Sequence, residues 1–454
     1  MTMTTSARAE TLAEAIAQAY AGNPTLAAQR ANQRALDETY VQASAGFGPQ
    51  AQLQASVSHD ETGGRTAALL RGPETNTSAV QLSINQPIYT GGRLSSLENA
   101  ARAGVAEGAA NLGDAEQSLL QSVIRVYVDV RRDQEALVIA RSNLALLRHQ
   151  LEEVQARFDA GEITLTDVAQ TRARVAAAEG QTANAQATLE ISRAAYAAVV
   201  GDLPLTLAQA PALNGFLPPS LEQALAVAEA SSPRVAAARF AAEAGAARLA
   251  AVKALGRPSL SLQTRLGYSG GSVGRGSPFS GYGQEVTTSA TLSFPVFSSG
   301  VIASQVRQAV ETHHADLQAI EVTRRQALLE VSRAWNQLQS ANAGIIAGET
   351  QAKAASLAVE GSRLEVQTGL RTTLDVLISE QDLAGAQVAL ANARHDAYVA
   401  AAALLLATGT LRVTDLAPGV SPYDAGQNLH RVVSPWRQVP WARAVAALDS
   451  LGAP

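Results

Sequence analysis

The sequence contains no cysteine and few aromatic or charged residues. Of its 454 residues, 4 % are aromatic and 17 % are charged, whereas about 25 % are charged in a typical soluble domain. The absence of cysteine excludes a disulfide scaffold, a thiol nucleophile, a Cys-type zinc site and an acylated N-terminal cysteine. A chain of this length would ordinarily form about three domains, but so few aromatic side chains would fill three compact hydrophobic cores poorly. A formal charge of −5 gives no strong electrostatic footprint for nucleic acid, so nucleic acid is not expected as a partner.

Long apolar segments are missing as well. The longest apolar run, 397–407, is well short of the ~20 residues that span a bilayer as a helix. If the protein crosses a membrane, it does not do so with an α-helix. Ala7-Arg8-Ala9 before Glu10 resembles the small-residue end of a secretory signal, but no apolar segment precedes it. Either the upstream part of a signal sequence is missing from this chain, which is what we expect, or the match is due to chance.

The chain does contain an internal repeat. Landmark residues recur at a spacing of 208 or 209: Pro24 and Pro233, Pro49 and Pro258, Pro87 and Pro295, Gly161 and Gly369, Asp167 and Asp375, and Gly201 and Gly409. Six landmarks that keep register to within one residue are hard to obtain by chance. We therefore predict two tandem copies, 10–202 and 203–409, and a C-terminal tail at 410–454. The second copy opens with a linker at 203–220.

The apolar pattern changes to a period of two in both copies. The alternating residues are Ala51, Leu53, Ala55, Val57, Val80, Leu82 and Ile84 in the first copy and Leu260, Leu262, Leu266, Tyr268, Val286, Ala290, Leu292, Phe294 and Val296 in the second. Strict alternation is typical of a strand with one apolar and one polar face. We expect β-hairpins at about 50–89 and 258–297, with strands long enough for a tilted span of a membrane. A half-buried soluble sheet is the alternative, but the polar face is rich in Gln, Ser and Thr and has little charge.

The rest of each copy predicts long helices. In the first copy, apolar residues between Leu119 and Phe158 follow the three–four spacing of a coiled-coil seam. A helix over 93–158 would be roughly 100 Å long and could not fold back into a compact domain. Gly161 and Gly369 can end such helices in the left-handed conformation. We therefore predict that each long helix turns there into a returning one, which makes a helical hairpin.

Four prolines lie where the helical and strand patterns change: Pro49, Pro87, Pro258 and Pro295. Proline removes a backbone donor and stops helix propagation. A chain that passes between a helical layer and a β layer four times needs such stops. Because these prolines are paired across the repeat, we predict that they mark the strand–helix junctions.

Four strands in one chain cannot close a barrel, and open strand edges are not viable in lipid, so other copies must complete them. This layout resembles the TolC family of outer-membrane channel-tunnel proteins. The matching features are the repeat, the strand-to-helix segment 86–93 and the turn segments 161–168 and 369–376. The resemblance implies an α+β membrane protein: a trimeric, 12-stranded outer-membrane β-barrel continued by a long α-helical barrel of coiled-coil hairpins. It also implies an equatorial mixed region made by the linker 203–220 and the tail, where Trp441 fits either packing or contact with a partner.

The same resemblance implies a function. Members of the TolC family are passive exit ducts in the outer membrane of Gram-negative bacteria, with the α-barrel in the periplasm. They work with a periplasmic adaptor (membrane fusion) protein and an inner-membrane ABC or RND transporter. The exported substrate is protein, in type I secretion, or a small toxic compound, in efflux.

The family's latch at the hairpin turns can be matched residue by residue. Arg371 lies where the family has the latch arginine, and Thr166 and Asp167 lie where its partners fall. An exposed pair of this kind is worth only about 0–1 kcal/mol, so a docking partner could release it. Val366 stands where the family has the latch tyrosine, which weakens the expectation of a tight iris.

The pore constriction can be matched in the same way. Asp375 corresponds to the first aspartate of the family's constriction ring, and three copies of it would favour cations. Ile378 stands where the family has the second ring aspartate, which weakens the expectation of a divalent-cation block. For Asp167 and Asp375, ordinary helix capping is the alternative to a gating role.

Two other classes of protein fit parts of the pattern. A periplasmic adaptor, an interaction protein, also carries long helical hairpins, but usually one hairpin flanked by small β-domains and a membrane anchor. A soluble coiled-coil structural protein would not explain four alternating strands between paired prolines. The six histidines, including the adjacent His313 and His314, form no ligand set for a metal. No arrangement of residues supports catalysis, so we expect neither enzyme activity nor a cofactor.

Overall fold

The computed structural model describes residues 9–61, 74–204, 206–273, 276–368, 370–436 and 440–453. The first half of the chain contains α1 (Leu12–Gly22), α2 (Pro24–Ala45), β1 (Gln50–Glu61), β2 (Glu74–Tyr89), α3 (Arg93–Asp159) and α4 (Leu165–Val200). The second half contains α5 (Leu221–Ser231), α6 (Pro233–Lys253), β3 (Ser259–Val273), β4 (Gly283–Ser293), α7 (Val301–Gln367) and α8 (Thr373–Ala407). Three shorter helices follow, α9 (Val413–Leu416), α10 (Ala425–Trp436) and α11 (Ala442–Ser450).

The two halves carry the same series of elements. Equivalent elements begin 208 or 209 residues apart, as in α1 at Leu12 and α5 at Leu221, or α3 at Arg93 and α7 at Val301. The helices α3 and α7 are both 67 residues long. None of the helices in the described ranges is both long enough and apolar enough to span a bilayer.

The four strands form one antiparallel sheet in the order β1-β2-β3-β4. Across it, Leu53, Leu82, Leu266 and Val286 lie opposite one another, and so do Gln52, Ser83, Arg265 and Thr287. Opposite residues in an antiparallel sheet share a face. One face of the sheet is therefore apolar and the other polar, as the period of two predicts.

The prolines lie at or near the strand ends. Pro49 and Pro258 directly precede β1 and β3, and Pro295 lies two residues after β4. Pro87 differs, because it lies inside β2, opposite Ser261 of β3, and the strand continues to Tyr89. The pairing of β2 with β1 has already ended at Asn85. The missing N–H of Pro87 thus costs no ladder bond to β1, which is the kind of position where a strand tolerates proline.

The described residues form two compact units. The first unit consists of the N-terminal segment through Arg30 with 110–236 and 322–423, and it holds most of α3, α4, α7 and α8. The side chains of Tyr127 and Tyr196 are fully buried in its core. The Tyr127 hydroxyl donates to the backbone oxygens of Glu10 (2.9 Å) and Ala208 (2.8 Å). This residue thereby ties the linker between the two halves to the start of the chain.

The second unit consists of 31–109, 237–321 and the segment from Asp424, and it contains the sheet. In it, the β2–α3 junction, Thr90–Ser95, turns through two glycines with positive φ, Gly91 (+70°) and Gly92 (+90°). A Cβ on Gly92 would lie 2.6 Å from the backbone nitrogen of Ala453. Glycine is required here both by the backbone angle and by the close approach of the C-terminal segment.

The end of the tail binds this junction through one buried carboxylate. Asp449 is fully buried, and its two oxygens accept hydrogen bonds from Thr90 (N and Oγ1), Gly92 (N) and Ser95 (N and Oγ). Several of these groups belong to the N-terminal turn of α3, so Asp449 caps that helix from a distant part of the chain. Nearby, the indole N–H of Trp441 donates to Oε1 of Gln86 at 3.1 Å. For Trp441 the structure therefore shows packing within the chain.

Candidate functional site

The turns of the two helical hairpins, both in the first unit, carry the predicted gating residues. In the first turn, Gly161 has a φ of +80°, and the N–H of Glu162 donates to the backbone oxygen of Arg157 at 2.9 Å. In the second turn, the N–H of Leu370 donates to the backbone oxygen of Glu365 at the same distance. Both bonds reach back five residues, the pattern of a Schellman helix end. The other predicted turn glycine, Gly369, lies outside the described residues.

Both returning helices begin with the same capping box. Oγ1 of Thr164 accepts a hydrogen bond from the N–H of Asp167. In return, the Asp167 carboxylate accepts hydrogen bonds from the Thr164 N–H (3.0 Å) and hydroxyl (2.8 Å). Thr372 and Asp375 repeat this arrangement in the second hairpin at 2.9 and 2.7 Å. The helix-capping alternative is thus realised at both positions, with Asp replacing the usual Glu. The gating roles of Asp167 and Asp375 stay predictions.

The capping boxes favour the ionised carboxylates. Hydrogen bonds from the side chain and the backbone N–H of the capping threonine lower the pKa of Asp167 and of Asp375 below the ordinary 3.8. Both aspartates are therefore charged at neutral pH. A negative charge in the first helical turn is also favourable to the helix dipole.

The latch arginine has a partner within its own hairpin. Nε of Arg371 lies 2.6 Å from Oε2 of Glu365, across the turn from α7. In the first hairpin, Nε of Arg157 lies 3.2 Å from Oε2 of Glu162. Acid and base have exchanged places: the helix supplies the base in the first hairpin and the acid in the second. Glu365 was missed from the sequence, although an acid six residues from Arg371 across a predicted turn is a usable signal.

The remaining predicted positions near the turns are exposed or partly exposed. Thr166 is exposed at the start of α4, and Ile378 on α8 is 43 % exposed. Val366 is partly buried near the end of α7. The predicted latch and constriction residues thus line the surface of one chain, as contacts between copies would require.

A buried carboxylate links the two hairpins to each other. Glu380 on α8 is 3 % exposed, and its oxygens accept from Arg363 Nη2 at 2.9 Å and from Gln150 Nε2 at 2.6 Å. Gln150 lies on α3, so this contact crosses from one hairpin to the other. Glu380 was not predicted from the sequence. It could have been noticed as a charged residue four positions after Val376 and three after Leu377, a spacing that places it on the same buried face of the helix.

An apolar cluster joins the hairpins beside this carboxylate. Its buried members are Leu147 on α3, Val175 and Ala178 on α4, and Leu377 on α8, with Leu144 and Leu151 packed against them. Three helices therefore meet in one small core. The two hairpins of a chain are held together by apolar packing and by a buried, charge-assisted hydrogen-bond set.

A histidine bridges α3 and α8 in the same unit. Nε2 of His395 lies 2.7 Å from Oδ1 of Asp129, and its Nδ1 lies 2.9 Å from Oδ1 of Asp396. Both nitrogens are donors only in the protonated ring. Burial alone would lower the pKa of His395, but the hydrogen bonds to Asp129 and Asp396 outweigh it and raise the pKa above the ordinary 6.5. In the described part of the chain, no group of acidic and histidine side chains is arranged to hold a metal ion.

We expect thermal stability to fall as the pH rises past 6.5 and through the raised pKa of His395. Because the pKa of His395 is higher in the folded protein than in the unfolded one, its contribution to stability is complete below pH 6.5. The contribution is lost when the folded protein loses the proton on His395. The measurement is the unfolding midpoint against pH for the wild type and for His395→Gln. The variant should show a flatter profile, whereas His314→Gln, at an exposed position, should follow the wild type. Parallel wild-type and His395→Gln profiles would contradict this role.

Comparison with known proteins agrees with these features. The sequence matches the family described as outer membrane efflux protein over residues 15–202 and 224–410. It is 31 % identical over 434 residues to the outer membrane efflux protein BepC of Brucella suis, covering 95 % of this chain and 92 % of BepC. It is 25 % identical over 422 residues to TolC of Vibrio cholerae, covering 91 % and 94 % of the two chains.

A solved structure gives the same fold. The Campylobacter jejuni CmeC outer membrane channel superposes with a TM-score of 0.78 over 94 % of this chain and 89 % of CmeC, at 14 % sequence identity. At that identity the likeness shows the fold alone. The predicted resemblance to TolC is confirmed, and with it the α+β fold and the location in the outer membrane. The chain belongs to the outer membrane efflux protein family, whose members are channel proteins of the Gram-negative outer membrane.

Proposed function

We propose that three copies of the chain form a passive exit channel through the outer membrane. The observation that carries the proposal is the sheet. Its apolar face is exposed to the surroundings, with Leu53 at 70 % and Leu292 at 69 % exposed. Exposure of this apolar face is favourable in lipid, but the open edges of the sheet must pair with further strands there. Three chains of four strands would supply the twelve strands of a closed barrel.

The helical hairpins supply the duct and its gate in this proposal. A periplasmic adaptor docks on the hairpins, and an inner-membrane ABC or RND transporter provides the energy. The similarity to BepC, which is named for efflux, supports small toxic compounds as substrates, with secreted protein as the other class. The latch of Thr166, Asp167 and Arg371 and the constriction at Asp375 and Ile378 would set the resting conductance.

The proposal is tested by planar-bilayer conductance of the detergent-purified protein. We expect stable insertion with small, long-lived conductance steps, because the gate is nearly closed without its partners. Large open steps would support a channel with a looser iris at Val366 and Ile378. Folded protein that does not insert would contradict the channel and favour the adaptor class.

Replacing Arg371 by Ser, or Asp167 by Ala, is expected to raise the single-channel conductance severalfold. Each change removes one side of the latch, and exposed pairs of this kind are weak enough to be broken singly. The measurement is the step size in the same bilayers. Unchanged steps in both variants would reject the latch.

Two control variants separate the latch from local structure. Glu365→Gln removes the pair within the hairpin (2.6 Å) but leaves Arg371 available to a neighbouring chain. Thr164→Ala weakens the capping box while the Asp167 carboxylate remains. If either control opens the channel as far as the latch variants do, hairpin stability and not a latch between chains limits the conductance.

A further inference from the structure

A basic cavity lies at the end of the sheet that adjoins the helices. It has a volume of about 380 Å³, and residues of the β2–α3 junction and of the start of β3 line it, all in the second unit. Its basic residues are Arg93, the first residue of α3, and Arg257, two residues before β3. Its wall also carries neutral polar side chains, those of Asn85, Ser259, Ser261 and Ser293.

The positive charge of this cavity has no counterion in the described part of the chain. The side chain of Arg93 makes no hydrogen bond or ion pair there. That of Arg257 makes one, from Nη1 to the backbone oxygen of Gly91 at 3.0 Å. None of the described residues that line the cavity is acidic, and Asp449, which binds the same junction, is fully buried outside this lining. Two guanidinium groups therefore keep most of their N–H donors without a protein acceptor.

The local structure holds both arginines at this place. A Cβ on Gly91 would lie 2.6 Å from Cβ of Arg257, so the close approach of Arg257 requires a glycine. Arg93 begins α3, and a cation in the first turn of a helix is unfavourable to the helix dipole. Proteins accept such locally unfavourable residues mainly at functional sites.

The internal repeat shows that the fold does not need the two arginines. The equivalent of Arg93 in the second half is Val301, 208 residues later and also the first residue of its helix. The equivalent of Arg257 in the first half is Gly48, 209 residues earlier. Both equivalent junctions form without a basic residue. The arginines therefore have a role other than shaping the chain.

The cavity lies on the polar face of the sheet. Ser83 and Arg265 are opposite each other on that face, and the period of two places Asn85 and Ser261 on it as well. In the proposed channel the apolar face contacts lipid, so the polar face bounds the lumen. The helix-adjoining end of the sheet is then the periplasmic end of the barrel.

We propose that Arg93 and Arg257 bind an anionic group, a carboxylate or a phosphate, of a molecule that passes through the lumen. Guanidinium groups bind such oxyanions through charge-assisted and often bidentate hydrogen bonds. The serine hydroxyls and the amide of Asn85 add neutral donors and no opposing charge. A trimer would carry one such site in each chain, so the exported substrates would include anionic compounds.

Binding is measured by isothermal titration calorimetry of the detergent-purified protein with inorganic pyrophosphate at low salt. We expect one pyrophosphate per chain, and roughly tenfold weaker binding by Arg93→Gln and by Arg257→Gln, because each loses charge-assisted hydrogen bonds. Arg265→Gln is the matched control, since it removes the same charge from the polar face at a residue outside the lining. No binding by the wild type, or equal weakening by all three variants, would overturn the site.

A lipid phosphate is the other source of the same chemistry. Phosphatidylglycerol added to the detergent micelles should not compete with pyrophosphate, because the cavity is on the face turned away from lipid. Competition by phosphatidylglycerol would overturn the assignment to the lumen.

The absence of cysteine allows the charge of the cavity to be measured in a membrane. Ser261→Cys places a single thiol in its wall. In liposomes, we expect an anionic sulfonate thiol reagent to modify it severalfold faster than a cationic ammonium reagent, since two positive charges attract the anion. Pyrophosphate should slow the reaction, and Arg93→Gln in the same chain should remove the preference. A preference that Arg93→Gln leaves unchanged would contradict its part in the site.

The site and the proposed channel can fail separately, although the place of the site in a lumen rests on the channel. Protein that conducts in planar bilayers but does not bind pyrophosphate would overturn the site and leave the channel standing. Protein that binds pyrophosphate through both arginines but never conducts would support the site and overturn its place in a lumen. Weaker binding by either arginine variant supports the site even if the other variant fails to fold.

Discussion

Replacing Asp449 by alanine is expected to lower the free energy of unfolding by about 3–5 kcal/mol, among the largest effects of any single substitution here. The carboxylate is fully buried and accepts hydrogen bonds from Thr90, Gly92 and Ser95. Its loss leaves several buried N–H and O–H groups without an acceptor. The measurement is the midpoint of thermal unfolding by circular dichroism of the purified protein.

The conservative change Asp449→Asn retains one acceptor oxygen and should fall between alanine and the wild type. Asp382→Ala, at an exposed position on α8, should have little effect. Burial would raise the pKa of Asp449, but the hydrogen bonds from Thr90, Ser95 and Gly92 lower it below 3.8 overall. The contribution should therefore be complete above pH 3.8 and lost only as the pH falls through the lower folded value. If Asp449→Ala is as stable as the wild type at neutral pH, the capping role of Asp449 is contradicted.

Replacing Leu377 by alanine is expected to separate the two hairpins of each chain. Leu377 is 5 % exposed in the cluster with Leu147 and Val175, and truncation of a buried leucine costs about 2–5 kcal/mol. The loss is local, so it should appear first as protease cleavage at the hairpin turns and as larger, noisier conductance steps. Cleavage is followed by mass spectrometry and conductance in planar bilayers.

The matched control is Leu364→Ala, which removes the same atoms from a residue on α7 that is 63 % exposed. It should leave cleavage and conductance unchanged. Glu380→Gln offers a second test, because it keeps the shape of the side chain but loses the charge that pairs with Arg363. It should weaken the hairpin contact less than Leu377→Ala. If Leu377→Ala is as resistant to protease as Leu364→Ala, the cluster does not hold the hairpins together.

The regular elements could be predicted because their periods are local. Strands of a half-exposed sheet alternate whatever lies beside them, and Gly161 ends a helix through its own backbone angle. Because of the repeat, each feature could be checked in both copies, so a pattern present in one copy by chance is recognised by its absence from the other. This is why the four strands and the two hairpins were expected at nearly the observed positions.

The contacts that depend on distant parts of the chain could not be predicted in this way. Nothing near Asp449 in the sequence indicates that it caps α3, since its partners are more than 350 residues away. The burial of Glu380 depends on how the first hairpin packs against the second. Pro87 was expected to mark the end of β2, but it lies inside the strand because β1 stops earlier than β3 along it.

The exchange of acid and base between the two hairpin turns limits the symmetry that a docking protein can use. The backbones of the two turns share the same five-residue bond, but the helix position occupied by Arg157 in the first hairpin holds Glu365 in the second. Its partner is Glu162 in the first turn and Arg371, one position further along, in the second, so the polarity of the pair is reversed. In the proposed ring of three chains there would be six tips of similar shape, with two alternating arrangements of charge. A partner that recognises charge would have three equivalent binding positions, whereas a partner that recognises only shape would have six. The stoichiometry of a docked partner therefore reports which of the two properties it binds.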